Sequence, residues 1–231
     1  RLHGPLCQLI ADAARIRSAS EELLKLYDPA AHKIFYTKAG LATERQLITA
    51  LKWKQWPPQL PIAAVRAAPR ATLAWLRTAD DPARIAWVLR EWSRWIGAGN
   101  ERQHRGALLI ELEQLCKRLP NNDTVLEAVL AGIGHAKGAG LLPLVVESTK
   151  HDSPIIRAQT CRVLAKLGWP VNRPALVALL ALAETEKDVT VLSRIGGALG
   201  AFPHEARAGA AALKLFKQVR SPVVRREILY A

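Results

Sequence analysis

The sequence predicts an all-α fold, an α-solenoid of stacked helical pairs preceded by an irregular helical N-terminal segment. One observation is a helix-start signal that recurs at nearly constant spacing. Another is that apolar residues repeat with a period near 3.6 and never alternate over a run, which argues for helices over strands. The third is length, since 231 residues suffice for one large domain or an extended repeat array.

Residues 1–56 are helical in composition, but their period does not match that of residues 57–231, so they read as a helical segment or cap. "WPPQLP" at 56–61 is a turn or short extended link, and a boundary is placed there. From 57 to 231 the chain divides into repeats at about 60–97, 101–136, 140–168, 172–202 and 205–231. The second helix of each pair is announced at its start. Ser153-Pro154-Ile155-Ile156-Arg157 returns as Ser221-Pro222-Val223-Val224-Arg225, and more loosely as Asp81-Pro82-Ala83-Arg84. Ser or Asp accepts hydrogen bonds from the first free N–H groups, and Pro stands where its missing donor costs nothing. The intervals of 72 and 68 residues are twice a period near 35. Weaker starts are therefore expected midway, at "PNND" (120–123) and "EKD" (186–188). Ile156, Thr160, Val163, Leu164 and Leu167 form one helix face, which maps onto Val191, Ile195, Ala198, Leu199 and Phe202, and then onto Val224 and Ile228. The first helices are expected at 60–77, 102–118, 140–149, 174–184 and 206–219. Two helices per 30–40 residues is the signature of an α-solenoid.

"DSPIIRAQTCRVLAKLG" (152–168) resembles the second helix of a HEAT repeat, with its Ser-Pro-x-x-Arg start and Leu-Gly exit. That exit is repeated at Leu199-Gly200 and echoed at Ile133-Gly134. The resemblance implies a right-handed solenoid and concerns fold, not activity. In such arrays the Arg of this motif pairs with acids in adjacent turns, which assigns Arg157 and Arg225 structural roles.

The charge is strongly basic, with a net of +13 and a pI near 10.2, which favours an acidic partner, protein or nucleic acid. It is concentrated early: between Lys33 and Arg77 there are eight basic residues and one acid, Glu44. The same half is rich in tryptophan. In "WVLREWSRWIG" (87–97), Ile85, Val88, Leu89, Trp92, Trp95 and Ile96 span about 120° of arc, an ordinary buried stripe. Trp92 and Trp95 are therefore core. Trp87 lies opposite, near Arg84, Arg90 and Arg94, and reads either as a recognition surface or as packing against a neighbouring repeat. The candidate binding set is Lys52, Trp53, Lys54, Trp56, Arg66, Arg70, Arg77, Arg84, Trp87, Arg90 and Arg94. Arginines and lysines would supply charge, and tryptophans flat apolar area.

"AWVLREW" (86–92) also resembles a helix of the HEAT-like alkylpurine DNA glycosylases, in which the equivalents of Trp87 and Arg90 contact DNA near the lesion. That resemblance implies a nucleic-acid-processing enzyme as the alternative. The family's catalytic Trp-Asp-x-x-Asp motif is missing, and about 135 residues follow where the family's chain ends.

No catalytic residue, metal site or cofactor is expected. His204-Glu205 resembles one iron-binding pair of the HEAT-like deoxyhypusine hydroxylases, which need several such pairs, and it stands alone. His3, His32, His104, His135 and His151 lack zinc spacing. "AGIGHAKGAG" (131–140) lacks the strand and residue order of a phosphate loop, so its glycines are read as a helix end and turn. Arg162 and Lys166 are assigned to a solvated helix face. Cys7, Cys116 and Cys161 form no CxxC pair, which favours a reducing, cytoplasmic compartment. No apolar run is long enough to cross a membrane. The chain lacks Met, and "SPVVRREILYA" stops inside a helical pattern; both predict a piece of a larger protein or assembly.

Overall fold

The computed structural model describes Val65 and residues 69–97, 104–168 and 173–229. Among these residues there are ten α-helices and no strand. They are α1 (Pro69–Thr78), α2 (Pro82–Gly97), α3 (Arg105–Arg118), α4 (Asp123–Ala136) and α5 (Leu142–Glu147), then α6 (Pro154–Gly168), α7 (Arg173–Thr185), α8 (Val189–Leu199), α9 (Ala206–Gln218) and α10 (Pro222–Leu229). The all-α expectation is met. The boundary expected at 56–61 lies outside the described residues. The chain divides into two compact units between Ala79 and Asp80, that is, between the two helices of the first expected pair.

Within the first unit, α1 buries Ala71, Thr72, Leu73 and Leu76. The second unit runs from Asp80 to Ala231 and has two layers. In one layer the second helices pack in series, α2 on α4, α4 on α6, α6 on α8 and α8 on α10. The first helices α3, α5, α7 and α9 lie against them, each touching the helix that comes after it.

Three of the second helices, α2, α4 and α8, are capped by side chains as the local chemistry dictates, while Ser153 and Ser221 accept from Arg157 and Arg225 through their backbone carbonyls. Asp81 accepts hydrogen bonds from the N–H groups of Ala83 (3.0 Å) and Arg84 (3.2 Å) at the head of α2. At the two midway positions, Asn122 accepts from Val125 N–H at 3.0 Å, and Asp188 from Thr190 and Val191 at 2.8 and 3.0 Å. Each cap satisfies donors that the first helical turn leaves open. Of the expected core faces, Ile156, Thr160, Val163, Leu164 and Leu167 are buried, as are Val191, Ile195, Ala198, Leu199, Phe202 and Val224, while Ile228, near the end of α10, is half-buried. The segment expected as one helix at 140–149 is a short α5 flanked by 3₁₀ turns at Ala139–Leu141 and Ser148–Lys150. There the Ser148 and Thr149 hydroxyls donate to the carbonyls of Leu144 (2.9 Å) and Val146 (2.7 Å), competing with continuation of the helix.

Two glycines set how closely the second helices approach. A Cβ on Gly134 would stand 3.4 Å from Val163 Cγ2 and 3.6 Å from Val163 Cα, and one on Gly196 would stand 2.5 Å from Ile228 Cγ1. A larger residue at Gly196 would push α8 from α10; at Gly134 the nearest atom, Lys166 Cδ at 3.2 Å, belongs to a flexible side chain that can yield. Arg157 ties successive pairs together. Its guanidinium donates to both carboxylate oxygens of Glu186, at 2.7 and 3.0 Å, and to the carbonyls of His151 and Asp152. Arg225, the matching residue of α10, donates to the carbonyl of Val219 at 2.8 Å and lies 5.3 Å above the Phe216 ring. Arg157 has the acidic partner that the resemblance implies, whereas Arg225 takes a backbone carbonyl and an aromatic ring in its place.

Candidate functional site

The tryptophan helix resolves as its periodicity requires. Trp92 is fully buried, with Trp95 edge-on to it at 5.4 Å and His104 at 6.2 Å. Trp87 is half-buried. The arginines around it are locally neutralised: Arg84 pairs with Asp81 at 3.1 Å, Arg90 with Glu127 of α4 at 3.2 Å, and Arg94 with Glu91 at 2.6 Å. Three cations thus face three carboxylates. Arg70 and Arg77 are exposed on α1, in the other unit. Lys52, Trp53, Lys54, Trp56 and Arg66 lie outside the described residues.

Other chemistry is accounted for in the same way. Asp81, six residues before Trp87, is engaged as a helix cap and in its pair with Arg84. Among the described residues no three His, Cys, Asp or Glu side chains gather where a metal could bind. Burial and the nearby Glu113 push the Cys116 thiol up to about 11, and burial with Glu186 pushes Cys161 up to about 12. Both stay protonated at neutral pH, which makes them poor nucleophiles. In "AGIGHAKGAG", Lys137 takes the left-handed conformation at φ 50° that ends α4, and Gly138 donates back to Ile133 at 3.0 Å. Among the described residues no helix is long and apolar enough to cross a membrane.

The uncancelled charge lies elsewhere. A groove of about 350 Å³ runs across α4, α6, α8 and α10, the layer of second helices. Its cationic lining is Arg162 and Lys166 of α6 and Arg194 of α8, with His135 of α4 beside them. Ala131, Ala165, Gly197 and Ala198 are small residues in the same lining, and Gln159 and Ser193 add neutral polar groups. The close approach at Gly134 brings α4 against α6, so that His135 Nε2 sits 3.0 Å from Lys166 Nζ. Among the described lining residues Glu227 is the sole carboxylate.

This crowding shows in the acid–base chemistry. Burial, then the neighbouring Lys166 charge, lowers the pKa of His135 below its ordinary value. Burial and Arg162 lower Lys166 in turn. Burial and Arg194 lower Arg162, with Glu127 pulling the other way. Each shift says that like charge has been assembled where water is partly excluded.

Arg162, Lys166, Arg194 and His135 are absent from the set expected from sequence. A usable signal existed. Each stands immediately before a buried position of its second helix (Val163, Leu167, Ile195 and Ala136), so all four flank the core stripe on the same side. Set beside known proteins, this chain matches no family model, no curated protein and no solved structure.

Proposed function

We propose that this chain is a non-catalytic helical-repeat binding or scaffold module, a right-handed α-solenoid of HEAT-like pairs that engages an acidic partner. The observation that carries the reading is the groove of the second helices. There Arg162, Lys166 and Arg194 meet a single carboxylate among the described lining residues, Glu227. Assembled like charge costs folding free energy, and a site bears such a cost for a ligand of opposite sign. The solenoid assignment is supported by second helices that pack in series with a first helix against each. The arginines of α2 contribute less to attraction, because Asp81, Glu127 and Glu91 already pair with them. The first unit has exposed basic residues of its own, Arg70 and Arg77.

The test is fluorescence anisotropy with a labelled glutamate-rich peptide, a DNA duplex, a DNA single strand and an RNA. Wild type is compared with the triple variant Arg162→Gln, Lys166→Gln, Arg194→Gln. Binding of at least one acidic probe, lost in the triple variant, is the expected result. If the three cations do the work on duplex DNA, affinity falls about fortyfold between roughly 50 and 200 mM salt. Binding that ignores the triple variant, or no binding at the lower salt, would overturn the reading.

A further inference from the structure

We propose that the groove between α4, α6, α8 and α10 binds the phosphoryl group of a phosphate monoester, gripped by Arg162, Lys166 and Arg194. The proposal rests on the acidic-partner reading and names the chemistry of the ligand. Three features of the molecule favour a compact dianion over an extended polyanion.

The first is how the charge is distributed. Arg162, Lys166 and Arg194 line one groove of about 350 Å³. On the neighbouring stretch, between α2 and α4, Arg90 is cancelled by Glu127 at 3.2 Å. A nucleic-acid backbone is neutralised by basic residues spread along its track. The second is composition. Among the described residues no Trp, Tyr or Phe lines the groove, whereas single-stranded binders stack bases on such side chains. The third is the donor set. Two planar guanidinium forks and an ammonium suit terminal phosphate oxygens, with the Ser193 hydroxyl and Gln159 amide as further donors. A monoester presents three such oxygens and carries nearly two charges at neutral pH.

The small lining residues leave room. A Cβ on Gly197 would meet no atom within 4 Å, so this edge of the groove is open. Glu227 opposes the ligand electrostatically, and its charge limits affinity. His135 is held mainly neutral by burial and Lys166. A bound dianion would favour its protonation and draw it into the site at lower pH. The charged groups facing it there are Lys166, Arg162, Arg194, Glu227 and, beyond Arg162, Glu127.

The deciding experiment is titration calorimetry of this chain with inorganic phosphate at pH 8, ionic strength being held constant with chloride. It is repeated with a phosphoserine peptide, its unphosphorylated twin, a glutamate-rich peptide and a short DNA single strand. One phosphate per chain is expected, and phosphate should compete with the phosphoserine peptide. Arg194→Gln weakens binding about tenfold or more, the loss of a charge-assisted contact. Gly197→Glu places a carboxylate in the groove and abolishes binding with the melting temperature retained. Glu227→Gln tightens it, an outcome that misfolding cannot mimic. Equal affinity for phosphate and phosphopeptide assigns a small phosphorylated ligand; tighter phosphopeptide binding assigns a phosphorylated polypeptide. Phosphate heats that are nil, or indifferent to Arg194→Gln and Gly197→Glu, overturn the proposal. If phosphate and phosphopeptide fail while the glutamate-rich peptide or DNA binds through the same cations, the monoester falls and the acidic-partner reading stands. If no probe binds, both fall.

Discussion

Single side chains carry two opposite kinds of electrostatics in this molecule. The Arg157–Glu186 pair is stabilising. Its carboxylate side chain is only 4% exposed and also accepts from the N–H groups of Lys187 and Asp188. Removing Arg157 leaves that carboxylate without its cation, held by two backbone donors alone, so Arg157→Ala should cost about 2 kcal/mol in chemical denaturation. Burial alone would raise the pKa of Glu186, but the Arg157 hydrogen bond and the two backbone donors outweigh it and the net shift is downward. This stability is therefore present above the ordinary glutamate range and is lost as pH falls through the lowered folded-state value. His135 has a lowered folded-state pKa, which favours its neutral form in the native chain. Its contribution is complete above the ordinary histidine value near 6.5 and is lost as pH falls from there toward the lowered value. His135→Gln should flatten that part of the stability–pH curve, measured by thermal melts between about pH 5 and 8. Lys137 is strained in a simpler way, as a non-glycine residue at φ 50°. Lys137→Gly should stabilise the chain by about 1 kcal/mol, read from the denaturation midpoint.

At the scale of elements, the second helices are the frame, and their separation decides whether the groove exists. Gly196→Val would drive α10 off α8, since even a Cβ there stands 2.5 Å from Ile228 Cγ1. A lowered melting temperature and faster amide exchange in α10 are the expected results. Trp92→Ala should cost about 3–5 kcal/mol through the cavity it leaves beneath α2. Most of this frame was legible in the sequence, because helix starts and core stripes are local. Asp81-Pro82, Asn122 and Asp188 mark their helices within a few residues of chain, and the stripe spacing needs one turn to be seen. The site was legible only in part, because charge balance is not local. Arg90 finds Glu127 across 37 residues, and Lys166 finds His135 across 31. Sequence could not show that the arginine-rich α2 is neutralised, although the common side of the core stripe held by Arg162, Lys166, Arg194 and His135 was open to reading.

At the scale of the whole molecule, the full chain's net of +13 does not say where a ligand would go, and local cancellation is a better guide. The cations of α2 are matched by acids; those of the groove are not. A folded chain that holds like charges together is stabilised by any anion that binds them, through mass action on the native state. Phosphate should therefore raise the melting temperature more than chloride of equal ionic strength, and the triple variant should lose that difference. Whether the groove is the anion site is decided most directly by a backbone amide NMR titration with inorganic phosphate and, separately, a glutamate-rich peptide. Shifts should cluster at Ala131, His135, Arg162, Lys166, Arg194 and Gly197. Shifts centred on Trp87 and its arginines, or none anywhere, would contradict a site in the groove.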